Sequence, residues 1–359
     1  MRLRAAVIAP VLQGILDAAV SSGEECGCQL ALYQHGELLV DLVAGYAEPE
    51  RIHRISSDSL FPIFSVGKGL ASTAFHRLVE KGLIGYDRRV ADYWPEFGCQ
   101  GKEDTLVWHL LSHRAAMHSL PTGIAGDAMA DWELMCRRLA EMPPAWTPGG
   151  KCSYHGLTFA WLVGETARRA TGQDFRQTIR EELLLPLQLQ DEVFFGSSAD
   201  SERRFVPIDA SAMPNGECWC RDFIHSPVIR RSFIPSANGL ASARALARIY
   251  ASLLFEVDGV RTLSAGTVQQ ATRLCRAADD PFPEGGTWAK FGLGYVLGGP
   301  PENLGQVFGH GGAAGALGLV DQKSGLALGL TRNKTSVRHP YYPLRERLSA
   351  ALQLPLMQW

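Results

Sequence analysis

Strand-forming sequence sits at both ends of this chain with helix-forming sequence between, and that order leaves few folds open. Residues 28–33 and 38–44 are apolar runs joined by His35-Gly36-Glu37, and read as an antiparallel hairpin closed by a glycine turn. From Lys290 onward, glycine-punctuated runs at 291–297, 306–308, 317–321 and 327–331 read as strands, with Lys323-Ser324-Gly325 as a turn. A closing helix is expected over 344–352. In the middle, helical spacing covers 106–112 after a Thr105 cap, 132–141, 157–170 before Thr171-Gly172, 175–184 before Pro186, 243–254 after a Ser242 cap, and 265–276. The expectation is an α+β fold: one antiparallel β-sheet built from both chain ends and flanked by helices, with an inserted, mainly helical lobe. No internal repeat or low-complexity segment interrupts it.

At 359 residues and 46% hydrophobic content, the chain can bury a large core, in one large domain or in two to three smaller ones. Lys and Arg total 35 against 37 Asp and Glu, a net charge of -2 with no long block of one sign. That balance argues against nucleic acid or a charged lipid surface as a partner. No apolar run is long enough to span a bilayer. Arg2 and Arg4 before the apolar residues 5–12 resemble a short signal peptide, but Gln13 and Asp17 interrupt it. Val7, Val11, Ile15 and Ala18 fit a helical stripe, so the expectation is a docked amphipathic helix and a cytoplasmic protein, with secretion as the alternative.

Eight Cys in so long a chain read as reduced thiols rather than as a disulfide framework. Cys26 and Cys28, like Cys218 and Cys220 near His225, lack the Cys-x-x-Cys spacing that four-ligand zinc sites favour. His109 and His113 stand four residues apart, as helical zinc ligands do, but Leu110 occupies the place where a metalloprotease needs its Glu, and core packing or a loop hydrogen bond explains the pair better. No metal or cofactor is expected.

Chemistry enters at 60–82. Residues 60–64 read as a short buried strand, and Ala71, Ala74, Phe75, Leu78 and Val79 as one face of a helix that Gly82 ends. Ser65-Val66-Gly67-Lys68 then lies at the helix mouth, with the Lys68 amine on the same side as the Ser65 hydroxyl. The helix N-terminus favours negative charge developing there. Ser-x-x-Lys is a nucleophile motif, although four residues also fit a helix cap followed by a solvated Lys. Gly67 and Gly69 each weaken a first turn by about 1 kcal/mol relative to Ala, which points to close packing around Lys68. A turn-rich run at 146–156 delivers Tyr154 just before the next helix, where an ordinary half-buried packing role is the plain alternative. The segment 192–235, rich in Pro and Gly and carrying Trp219 and Phe223, reads as a long ordered loop bordering a site.

Taken in order, Ser65-Val66-Gly67-Lys68, Leu110-Leu111-Ser112-His113, Tyr154-His155-Gly156 and Phe308-Gly309-His310-Gly311-Gly312 resemble the beta-lactamase-related serine hydrolases. Within them the chain looks most like the carboxylesterases related to class C beta-lactamases, of penicillin-binding-protein-like fold. The resemblance covers nearly the whole chain. It implies a single domain over 1–359, with a sheet region from 1–62 and 235–359, a mainly helical region over 63–234, and a site at their junction. It further implies Ser65 as nucleophile, Lys68 as its activating amine and Tyr154 as the partner base or acid. His310, Gly311 and Gly312 fall where the family carries Lys-Thr-Gly, and the amides of Ser65 and Ala313 are implied as the oxyanion holders.

Two departures bear on substrate. Gly156 replaces the Asn of the family's Tyr-x-Asn, and His310 replaces the Lys of Lys-Thr-Gly, so polar contacts made in the lactamases to an acylamino chain and a carboxylate are reduced. The resemblance therefore implies a carboxylesterase acting on small or medium acyl esters. Acyl transfer, beta-lactamase-like or D-peptidase-like amide hydrolysis, and a non-catalytic binding protein on the same fold are the alternatives. No Gly-x-Ser-x-Gly elbow supports an alpha/beta-hydrolase.

Overall fold

The computed structural model describes residues 2–275, 290–336 and 343–354. Strand β1 (Gly27–Gln34) is buried along its whole length and lies between β2 (Glu37–Gly45) and β10 (Leu326–Arg332). Its pairing is antiparallel on both sides, with Leu32 opposite Val40 and Leu328. The sheet continues through β9 (Leu317–Asp321), β8 (Val307–Gly311) and β7 (Val296–Gly298), in the order β2-β1-β10-β9-β8-β7. The α+β expectation holds: strands from both ends of the sequence share one antiparallel sheet.

Alternation along β1 explains why helices cover both faces. Leu30 and Leu32 pack with helices α1 (Ala5–Ser21) and α12 (Pro343–Leu352), whereas Ala31 and Tyr33 join the main core with α10 (Ala243–Ser252). Helix α1 docks, but on a stripe one residue away from the expected one. Ile8, Leu12, Leu16 and Ala19 are buried, while Val7 and Val11 are 62% and 49% exposed. Both stripes are apolar at helical spacing, so periodicity could not choose between them. Among the described residues no helix is long and apolar enough to cross a membrane.

The main core runs on into the helical part, where α2 (Val66–Glu80) and α5 (Phe159–Thr171) pack together beside α4 (Trp132–Glu141). Gly172 ends α5 in the left-handed conformation that glycine favours. Helix α3 is shorter than expected, Val107–Leu111, and its first turn is closed by His109 Nδ1 accepting from the Leu106 amide rather than by Thr105. The 175–184 helix changes at Arg180 from α6 (Phe175–Ile179) to a wider π-helical turn, Arg180–Leu184. Helix α11 spans Ala265–Ala271, and Arg276, the last residue expected in it, lies outside the described residues.

A three-stranded sheet places the site. Strand β3 (Phe61–Pro62) and β4 (Val193–Phe195) flank β6 (Gly239–Ala241), which binds the segment entering Ser65 to the segment leaving Ser236. The 192–235 segment is no plain loop. It forms β4, α7 (Ala199–Arg204), β5 (Asp209–Ala212), α8 (Trp219–His225) and α9 (Pro227–Arg231), with β5 pairing in parallel with β11 (Lys334–Ser336).

Candidate active site

Phe64, buried among apolar side chains, has a φ of +44°, a conformation rare for a bulky residue and costing on the order of 1 kcal/mol. This bend turns the chain from β3 into α2 and sets Ser65 at the helix mouth. Lys68, one turn on, donates from Nζ to Ser65 Oγ at 3.0 Å and to the Ser236 carbonyl at 2.9 Å. The side chain is completely buried. Among the described residues no carboxylate lies within ion-pairing distance of it. Burial without a counter-charge drives its pKa far below the ordinary Lys value and works against the charged form.

Close packing around this turn explains its glycines. A Cβ on Gly67 would stand 2.1 Å from the Pro235 carbonyl oxygen, and one on Gly69 would stand 2.2 Å from Tyr250 Oη. Gly67→Ala is therefore expected to push aside the 235–236 backbone that accepts from Lys68 Nζ. Activity should fall about tenfold or more and the unfolding midpoint should drop, checked by ester kinetics and urea denaturation. A Gly67→Ala enzyme with wild-type kinetics would show that this contact is dispensable.

Tyr154 reaches the same place from a clamped loop. The Ser153 amide donates to the His113 carbonyl at 2.9 Å, and the His155 amide to His113 Nδ1 at 3.2 Å. His155 Nε2 in turn accepts from the Met117 amide at 3.1 Å, and its Nδ1 lies 2.6 Å from the Ser153 carbonyl. These partners fix a neutral tautomer with the proton on Nδ1, and burial pushes the His155 pKa down to about 3. The Tyr154 ring lies along His113, with centroids 4.8 Å apart, and stacks on Phe291 at 5.8 Å and 11°. Its hydroxyl is hydrogen-bonded with Ser65, and Lys68 Nζ stands 4.9 Å from its ring centroid. Burial outweighs the Ser65 hydrogen bond and raises the phenol's pKa, so Tyr154 keeps its proton.

The β8 end supplies the remaining wall. His310 is fully buried, its Nδ1 lies 2.8 Å from the Gly311 carbonyl, and burial, with Lys68 nearby, takes its pKa down to about 3. It is a neutral ring rather than a cationic stand-in for Lys. A Cβ on Gly312 would lie 2.2 Å from the Ile63 carbonyl oxygen, so only glycine lets the β8–β9 turn approach the Ser65 segment. The Gly312 amide is spent on the Ala316 carbonyl at 2.8 Å, which removes it as an oxyanion donor. Arg332, paired with the buried Glu25 at 2.6 Å, donates to the Ala314 carbonyl at 3.1 Å and pins the turn.

The structure thus brings together Ser65, Lys68, Tyr154 and His310, with Gly311, Gly312 and Ala313 along the adjoining strand and turn. His113 and the Ser236 carbonyl join them unannounced. His113 was visible in the sequence as part of a family-like run and read as packing or a loop hydrogen bond, the second of which it makes with the His155 amide, while a main-chain carbonyl leaves no side-chain signal. Among the described residues no group of three or more His, Cys, Asp or Glu is placed to hold a metal.

A sheet built from both chain ends, a helix-mouth Ser beside a buried Lys, and a clamped Tyr define a serine hydrolase of the beta-lactamase/transpeptidase-like fold. The chain belongs to the beta-lactamase family, whose pattern matches residues 12–351. It is 35% identical over 340 residues to the esterase/beta-lactamase LipL of Mycobacterium tuberculosis, covering 86% of this chain and 77% of that protein. Esterase EstB of Burkholderia gladioli is 28% identical over 373 residues, 92% of each chain. Among solved structures, a family VIII carboxylesterase superposes with a TM-score of 0.85 at 29% identity over 98% of both chains.

Proposed function

We propose that the protein is a carboxylesterase that cleaves small or medium acyl esters through an acyl-Ser65 intermediate. The observation that carries this reading is the fully buried, carboxylate-free Lys68 amine 3.0 Å from Ser65 Oγ. A neutral amine keeps two hydrogens and a lone pair; with the Ser236 carbonyl holding one hydrogen, the lone pair is available for the Ser65 proton. Proton transfer makes Lys68 a cation beside the Tyr154 ring and the Ser236 carbonyl, both of which favour the charge. Ser65 Oγ bonds to the acyl carbon, and the amides of Ser65 and Ala313 hold the oxyanion. Tyr154, still protonated, gives its proton to the departing alkoxide as the ester C–O bond breaks, and regains one from Lys68. Water then attacks the acyl-enzyme, losing its proton to the same pair, which passes it to Ser65 Oγ as the acyl C–O bond breaks and the acid leaves.

Neutral His310 and the side-chain-free Gly156 offer little to a substrate carboxylate or acylamino group, which supports esters over beta-lactams or D-peptides. The EstB relative is named an esterase, and LipL an esterase/beta-lactamase, so both names include ester cleavage. This reading treats 1–359 as one catalytic unit, with the site where the 1–62 and 235–359 sheet region meets the helical 63–234 region.

Intact mass after brief incubation with p-nitrophenyl butyrate, and separately with a cephalosporin, tests it. An acyl adduct or turnover with the ester alone is expected, and Ser65→Ala should lose at least about a thousandfold in kcat. Full activity in Ser65→Ala would end the proposal; turnover of the cephalosporin would replace it with an amidase.

A further inference from the structure

Trp219 is the first residue of α8 and leaves 61% of its surface exposed, a large apolar side chain with no burial to account for its place. Its indole meets the Phe64 ring edge-on, with centroids 6.0 Å apart at 69°, and Phe64 is the residue that positions Ser65. Beneath it, Cys218, Cys220 and Ile224 pack with Phe64 and with Ala314, next to the proposed oxyanion amide of Ala313. The start of α8 is therefore anchored to the nucleophile bend and to the β8–β9 turn, and the Trp219 indole rests edge-on against Phe64 with most of its surface open.

Tyr154 belongs to another wall, stacked on Phe291 and in tilted contact with His113. If the alcohol leaves toward Tyr154, as the proposed mechanism requires, the acyl chain is directed to the other side, where Phe64 and Ala314 are buried and Trp219 is the exposed residue above them. We propose that Trp219 forms the acyl-side platform of the site and selects esters whose acyl group is extended and apolar or aromatic. An alkyl chain or ring laid on the indole removes two apolar surfaces from water at once and uses a rigid partner already ordered by Phe64. The inference rests on the esterase reading given above.

The test compares wild type, Trp219→Ala and Trp219→Phe on p-nitrophenyl acetate, octanoate and phenylacetate, which vary the acyl group at a fixed leaving group. 1-Naphthyl acetate beside p-nitrophenyl acetate varies the alcohol at a fixed acyl group. In Trp219→Ala the kcat/KM ratio of octanoate or phenylacetate to acetate should fall about tenfold, Trp219→Phe should recover most of it, and the naphthyl-to-nitrophenyl ratio should not move. An unchanged acyl ratio, or a loss that follows the alcohol instead, overturns the proposal. Ser65→Ala run in parallel keeps the two readings apart: if it still hydrolyses these esters, the acyl-Ser65 mechanism has failed, whatever Trp219 does.

Discussion

Lys68→Met should abolish turnover and at the same time make the protein harder to unfold at neutral pH. Catalysis loses its proton acceptor, a loss of about 10³–10⁴ in kcat. Stability moves the other way because the native state holds Lys68 in a place that disfavours its charge. In the unfolded chain the amine is protonated below the ordinary value of 10.5, and folding weakens its hold on that proton. The sign follows: with a lowered folded pKa, wild-type stability rises with pH between the folded and unfolded values. Methionine fills similar volume and releases no proton. Against this, the Ser236 carbonyl loses its donor, at about 1 kcal/mol, which offsets part of the gain. Urea unfolding at pH 7 should show that gain, and the difference from wild type should shrink as pH climbs toward 10.5. A Lys68→Met protein less stable than wild type at pH 7 would mean that the amine is carried as a cation. The same proton should appear in kcat/KM as one acid limb, since His155 and His310 are already neutral near pH 7 with values of about 3.

Tyr154→Phe should separate two classes of ester. A p-nitrophenyl leaving group departs as a stable anion and has little need of a proton, whereas an alkoxide from an ethyl or butyl ester needs one. The variant is therefore expected to lose about 10²–10⁴ in kcat/KM on alkyl butyrates and far less in acylation by p-nitrophenyl butyrate. If Tyr154 also serves deacylation, p-nitrophenyl butyrate should give a burst of nitrophenol followed by a slow steady state, with acyl-Ser65 visible by mass. Equal losses on both ester classes, without a burst, would assign Tyr154 to packing against His113 and Phe291 rather than to proton transfer.

Much of the architecture was legible because it is written in local chemistry. The His35-Gly36 turn, the Ser242 cap and the Gly172 stop each sit where the sequence placed them, since each depends on a few adjacent residues. The buried side of α1 was not legible, because Val7 and Val11 are as apolar as Ile8 and Leu12 and only the sheet beneath decides. The 192–235 segment was misread for the opposite reason. Its elements are three to seven residues long, too short for periodicity to register, and tertiary pairing with β6 and β11 holds them. At the site, Ser65 and Lys68 were adjacent in sequence and readable together. For His113 a loop hydrogen bond was an open reading, but its place at the site was not, because its partner in the Tyr154 loop lies some forty residues away and its left-handed backbone, φ +61°, has no signature in the sequence.

The sheet order also sets a timetable. Strand β1 is hydrogen-bonded to β10 from Cys28–Arg332 to Gln34–Leu326, so the β1–β2 hairpin leaves the ribosome and waits with one bare edge until β10 has followed. Ser65 and Lys68 are made early, but the β8–β9 turn that would cradle the oxyanion arrives almost last, and Arg332 later still. Such long-range pairing folds slowly and exposes a strand edge meanwhile, which makes low temperature and slow synthesis the natural conditions for producing the protein. It also means that a chain interrupted before residue 332 lacks the neighbour of its own first strand, so no partial product can carry a finished site.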